Sequence, residues 1–296
     1  MIARRHITLG LGAGILAAPA LPAAPSRAAA GLAASIADAC RRIEADTRGR
    51  FGLAMVDTSD GGGASHRGGE RFPVLSTFKM LACAALLKRV EEGREDLSRR
   101  IHYREADLVP HSPVTREHVR QGMTFAALCE ATMTTSDNTA ANLILAALDG
   151  PPGLTRFARS IGDPVTRLDR WETALNEGAA GDPRDTTTPE AMAGNLRNLV
   201  LGDALSPGPR EQLTTWLLAN RTGDGRLRAG LPRDWRIGCR TGTGDNGATA
   251  HIAVAWPPGR APVIIAAYLT ETTATMEARN AAFVQVARVV GRAVAG

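Results

Sequence analysis

The chain has 296 residues, 44% of them apolar and 22% charged, with a formal net charge of +5. That composition supports one large hydrophobic core or two linked ones and excludes a disordered chain. No apolar run beyond the N-terminus reaches the length of a membrane-spanning helix, and the scattered basic residues argue against a nucleic-acid partner.

In chain order, residues 1–30, MIARRHITLGLGAGILAAPALPAAPSRAAA, have a basic start, an apolar middle and small residues at their end. This is the pattern of an export signal, with a cleavage candidate at Ala28-Ala29-Ala30. Arg4-Arg5, directly before the apolar middle, points to the twin-arginine route and so to a periplasmic or secreted protein. Arg4, Arg5 and Arg27 are the only charges in the segment, so its removal lowers the net charge from +5 to +2. Helical apolar spacing follows over 31–49, then a strand over 50–58 and a turn with a second strand over 61–72. Helices are predicted over 76–93, 124–136, 138–150, 188–202 and 209–221, with a loop-like stretch from 160 to 187. Strands over 234–244, 249–258 and 261–270 and a helix over 275–296 close the chain. The simplest assembly is an α/β unit from both ends, 31–73 and 221–296, around an antiparallel sheet, with an all-helical unit of 74–220 inserted into it.

Six histidines and four cysteines without any C-x-x-C pair give no zinc signature, and nothing implies a metal or another cofactor. In an exported protein disulfides become possible, but the sequence leaves their connectivity open.

Three short constellations carry chemistry. Ser76-Thr77-Phe78-Lys79 opens the strongest helix, and its three-residue step places hydroxyl and ammonium on one face. The lysine can ease formation of an alkoxide or, when neutral, accept the serine proton. The helix N-terminus adds backbone N–H groups. Ser136-Asp137-Asn138 joins two helices, where a turn can aim Ser136 and Asn138 the same way; a plain helix cap is the competing reading. Arg240-Thr241-Gly242-Thr243-Gly244 ends a late strand with a cation, hydroxyls and glycines, which suits an anionic ligand beside the strand. Each occurs often by chance.

In this order, with Glu172 between the second and third, they resemble the class A serine β-lactamases, whose S-x-x-K, S-D-N and K-T-G set is shared with penicillin-binding proteins. The resemblance covers essentially the whole chain after the signal. It implies a two-lobed fold with a five-stranded antiparallel sheet flanked by helices, and an omega loop near 167–185. RWETALNE, 170–177, resembles the class A omega loop, whose glutamate and asparagine hold the hydrolytic water. Glu172 and Asn176 match them, Arg170 and Asp185 match the ion pair that closes the loop, and Trp171 would pack beneath it.

By the same resemblance Ser76 attacks the lactam carbonyl, Lys79 or Glu172 takes its proton, Ser136 protonates the leaving nitrogen and Asn138 holds the side chain of the substrate. Thr243 and Ser76 supply the oxyanion amides. The substrate is a penicillin, with cephalosporins plausible through Thr243, and the protein a monomer. Cys83 and Cys129 stand where some members carry a disulfide, whereas Cys40 and Cys239 are expected to be buried free thiols. Arg240 replaces the usual lysine, a substitution that changes geometry as well as basicity. Thr249 stands where many members have an arginine, with Arg226 reaching the same pocket instead. His111 occupies the place of an aromatic gatekeeper. The competing function is a penicillin-binding sensor or transpeptidase-like protein that is acylated without turnover.

Overall fold

The computed structural model describes residues 27–295. The expected export signal lies outside them except for its last residues, which form the first turn of helix α1 (Arg27–Thr47).

Five antiparallel strands build the sheet: β1 (Arg50–Asp57), β2 (Gly63–His66), β3 (Arg236–Thr243), β4 (Thr249–Trp256) and β5 (Val263–Thr270). Their order is β2-β1-β5-β4-β3, which brings the two ends of the chain together and leaves β3, with its R-T-G segment, on an edge. Both faces are covered, so β4 and β5 read as nearly unbroken apolar runs rather than alternating ones. On one face Phe51, Leu53, Ala253 and Ile265 pack with Ile36 and Ile43 of α1 and with Phe283 and Val286 of α9 (Met276–Ala295). On the other, Ile252, Ile264, Ala266 and Tyr268 share a larger core with the remaining helices.

Those helices are α2 (Phe78–Glu91), α3 (Phe125–Thr135), α4 (Asn138–Ala147), α5 (Gly150–Ser160), α6 (Pro189–Val200) and α7 (Pro207–Leu218); a short α8 (Leu227–Gly230) lies against α9. Every residue of α2 from Phe78 to Leu87 is buried, as expected of a helix that is apolar almost all round and forms the centre of a core. Although α6 and α7 fall within the inserted stretch, they pack directly on the sheet and join the helices to it.

Helix α5 was not anticipated. Its opening Gly-Pro-Pro-Gly reads as a turn, yet proline is at home in a first helical turn, where its missing N–H costs nothing. Leu154, Phe157, Ala158 and Ile161 at helical spacing carry the signal.

The expected Cys83–Cys129 disulfide is corrected. The two residues meet between α2 and α3 as free thiols, with Cys83 Sγ 4.0 Å from the Cys129 carbonyl oxygen. Both are fully buried, and burial pushes the Cys129 thiol well above its usual range. Cys40 and Cys239 are likewise buried and free.

Candidate active site

Ser76 sits in a single 3-10 turn, Leu75–Thr77, directly ahead of α2. Leu75 is held at φ +50°, a left-handed conformation that side chains rarely adopt. The turn is braced from beneath, where the Thr77 hydroxyl donates to the Val74 carbonyl and meets Tyr268 Oη of β5 at 3.1 Å. From the side, β3 presses on it. A Cβ on Gly242 would stand 2.6 Å from Leu75 Cβ and 3.0 Å from the Ser76 nitrogen, so only glycine lets the strand approach the nucleophile.

One turn on, Lys79 is fully buried and extends its ammonium into a ring of oxygens. It donates to the Ser136 carbonyl at 2.9 Å, Ser136 Oγ at 3.1 Å and Asn138 Oδ1 at 2.5 Å, and pairs with Glu172 Oε1 at 3.1 Å. Burial pushes its pKa down to about 8, opposed by Glu172 and reinforced by Arg240. Glu172 Oε1 lies 3.5 Å from Ser76 Oγ, and its Oε2 accepts from Asn176 Nδ2 at 2.5 Å.

The loop carrying Glu172 is held by reciprocal bonds. Asn142 of α4 donates to the Glu172 carbonyl and accepts from its N–H, each at 3.0 Å. Arg170 pairs with Asp185 at 2.6 Å and also with Glu177, while the Asp185 carboxylate caps the Asp169 and Arg170 amides. Trp171 does not pack beneath this pair. It is 42% exposed and lies over Gly150 at the start of α5.

The Ser136–Asn138 turn serves both readings the sequence allowed. Asp137 is the cap: its fully buried carboxylate accepts from the amides of Ala140, Val114 and Thr115, each at 2.9 Å, and from the Thr115 hydroxyl at 2.8 Å. Ser136, left-handed at φ +64°, and Asn138 turn toward Ser76. The two serine hydroxyls are 3.3 Å apart.

Arg240 is also fully buried and donates from Nη2 to Ser136 Oγ at 2.6 Å. Ser136 Oγ therefore receives hydrogens from two cations and donates its own toward Ser76 Oγ. Arg226, just ahead of α8, bonds the Gly242 and Ala250 carbonyls and Thr243 Oγ1, each at 2.9 Å. Arg279 reaches Thr249 Oγ1 at 3.0 Å, bringing a cation to the strand position where the expected arginine is missing. Among the described residues no carboxylate lies within ion-pair distance of Arg226, Arg240 or Arg279. Ser76, Ser136, Asn138, Asn176, Arg226 and Thr243 line a cleft of about 310 Å3, with the exposed His111 at its mouth and its Nε2 3.0 Å from the Thr135 carbonyl.

A sequence model of the beta-lactamase enzyme family matches residues 35–294. The chain belongs to the class A serine β-lactamases. It is 47% identical to a β-lactamase of Streptomyces fradiae over 296 residues, 98% of this chain and 96% of that one. It is 49% identical to β-lactamase AST-1 of Nocardia asteroides over 248 residues, covering 84% of this chain and 80% of the relative. A solved ancestral (GNCA) class A β-lactamase shares 59% identity and superposes with a TM-score of 0.86 over 87% of this chain and 99% of its own. Its activity is the serine-dependent hydrolysis of β-lactams.

This β-lactamase also places residues at the site that sequence reasoning passed over. Asn142 had a signal, one helical turn beyond Asn138 on the same face. Thr222, which joins Thr241 Oγ1 at 2.5 Å and lines the cleft, and Asn280, which accepts from Arg226 Nε at 2.9 Å, had none. Both sit in segments that only tertiary packing brings to the β3 edge.

Proposed function

We propose that the chain hydrolyses penicillins, and some cephalosporins, through an acyl-enzyme on Ser76. Ser76 Oγ attacks the lactam carbonyl carbon while its proton passes to the coupled Lys79–Glu172 pair, directly or through a water. The amides of Ser76 and Thr243 receive the developing oxyanion. As the C–N bond breaks, Ser136 gives its proton to the nitrogen and is reprotonated from Lys79. Glu172, with Asn176, then removes a proton from water as it attacks the ester; the acid leaves and Ser76 recovers its hydrogen. Asn138 holds the substrate side chain, and Arg226, Arg240, Thr241 and Thr243 hold its carboxylate, with His111 at the cleft mouth.

The observation that carries this reading is the Glu172 carboxylate, 3.5 Å from Ser76 Oγ and oriented by Asn176 and Asn142. A protein that is acylated without turnover has no use for a base held there. The cations without acidic partners support an anionic substrate. Class A membership and the paired arginines of residues 1–30 support export to the periplasm or medium, and we read the mature protein as a monomer.

Purified protein mixed with benzylpenicillin, followed by intact mass and product formation, tests the reading. Wild type should release product without a lasting adduct, whereas Glu172→Gln should accumulate an adduct at Ser76 and lose about 10²–10⁴-fold in turnover. A persistent wild-type adduct would make the chain a penicillin-binding sensor.

A further inference from the structure

On the sheet face away from Ser76, the R-T-G strand is backed by a buried group that the reaction does not use. His251 stands on β4 opposite Thr241 and is fully buried. Its Nδ1 accepts the Leu227 N–H at 3.2 Å, so the neutral ring carries its hydrogen on Nε2. That Nε2 has no hydrogen-bond partner among the described residues. It faces Gly223, where a Cβ would stand 3.4 Å from Nε2 and 2.6 Å from Cys239 Sγ. The 220–226 loop, which carries Thr222 and Arg226 into the cleft, therefore rests on the His251 ring and the Cys239 thiol.

Leu227 directly follows Arg226, so the bond to His251 fixes the turn from which the guanidinium enters the cleft. Both side chains also share Phe283, with Arg226 Cζ 5.9 Å and the imidazole 6.5 Å from its ring centre. The charges facing His251 are Arg226, Arg228 and Arg240. The acid on this side, Asp224, pairs with Arg228 at 2.7 Å and is largely exposed. A carboxylate at position 251 could make the same bond to Leu227, but it would also neutralise Arg226 from behind. A neutral imidazole anchors the turn and leaves the cation uncompensated.

We propose that His251 is a positioning residue for substrate capture: it orients Arg226 through the Leu227 amide and, by remaining uncharged, keeps the Arg226 cation available to the β-lactam carboxylate. The proposal rests on the reading of Arg226 as a carboxylate ligand. Cys239, the other neutral side chain under the loop, belongs to the same device.

The test is a comparison of His251→Asn, a neutral acceptor, with His251→Asp, an acceptor that carries charge. Each is made in the wild-type and Arg226→Ala backgrounds, with KM and kcat for benzylpenicillin and the melting temperature measured. In the wild-type background His251→Asp should raise KM about tenfold with kcat within about twofold, while His251→Asn stays within about twofold in both. In the Arg226→Ala background the two should give the same KM. A merely structural role would move melting temperature and kcat together and would not distinguish aspartate from asparagine. Equal KM values for the two in the wild-type background, or an aspartate effect that survives the loss of Arg226, overturns the proposal. An Arg226→Ala enzyme with unchanged KM overturns the carboxylate-ligand reading instead. Should His251→Asp fail to fold, Cys239→Asp brings a carboxylate to the same cluster from β3 and must raise KM in the same way.

Discussion

Replacing Glu172 by glutamine should change the titration of a residue it never touches covalently. In the wild-type protein burial pushes the Lys79 ammonium down to about 8, and the Glu172 carboxylate, 3.1 Å away, is the main influence holding it up. The amide keeps the size and one acceptor of the carboxylate but removes its charge. An opposite charge at close range is worth about 1–3 pKa units, so the Lys79 midpoint should fall to about 5–7. The sign is unambiguous, because removing an anion beside a cation favours the neutral amine, and Arg240 continues to press in the same direction. At pH 7 the neutral fraction of Lys79 should rise from roughly a tenth to a half or more. NMR of the protein with labelled lysine would follow the titration, and single-turnover acylation against pH would follow its consequence. Acylation in Glu172→Gln should reach its plateau at lower pH than in wild type, even though the adduct is not released. A Lys79 midpoint that stays at its wild-type value, or rises, would refute the assignment of Glu172 as the dominant favourable field on this lysine.

Two further substitutions test how the site is held. Gly242→Ala should lower kcat at least tenfold and reduce the melting temperature, because the added methyl would stand 2.6 Å from Leu75 Cβ and must displace either the strand or the nucleophile turn; kinetics beside thermal unfolding will show it. Asp137→Ala should destabilise the fold by about 4 kcal/mol, from four buried donors losing their acceptor at roughly 1 kcal/mol each, as read by chemical denaturation.

The chemical groups were legible because their spacing is local. Ser76 and Lys79 are one helical turn apart, and Ser136 and Asn138 flank a cap, so short-range geometry brings each pair to one side wherever the helices lie. The strands were legible from continuous apolar runs, and the interrupted order of strands and helices implied a sheet built from both ends. Helix α5 was hidden because its first turn has the composition of a loop. The free state of Cys83 and Cys129 was hidden for a different reason: the proximity of two thiols does not by itself determine their oxidation.

What the sequence determined by itself, then, is the inventory of reactive groups and the local frames that carry them, since both follow from residue type and from backbone periods of a few residues. Only the tertiary structure decided the charge on those groups. The Lys79 ammonium is pushed down to about 8 because α2 is buried on all sides, and Arg240 donates to Ser136 because an edge strand runs past the end of α3. Arg226 remains a cation without an acid because the side chain behind its turn, His251, is neutral. Burial and long-range electrostatics depend on residues far apart in the chain, and no local pattern encodes their distances.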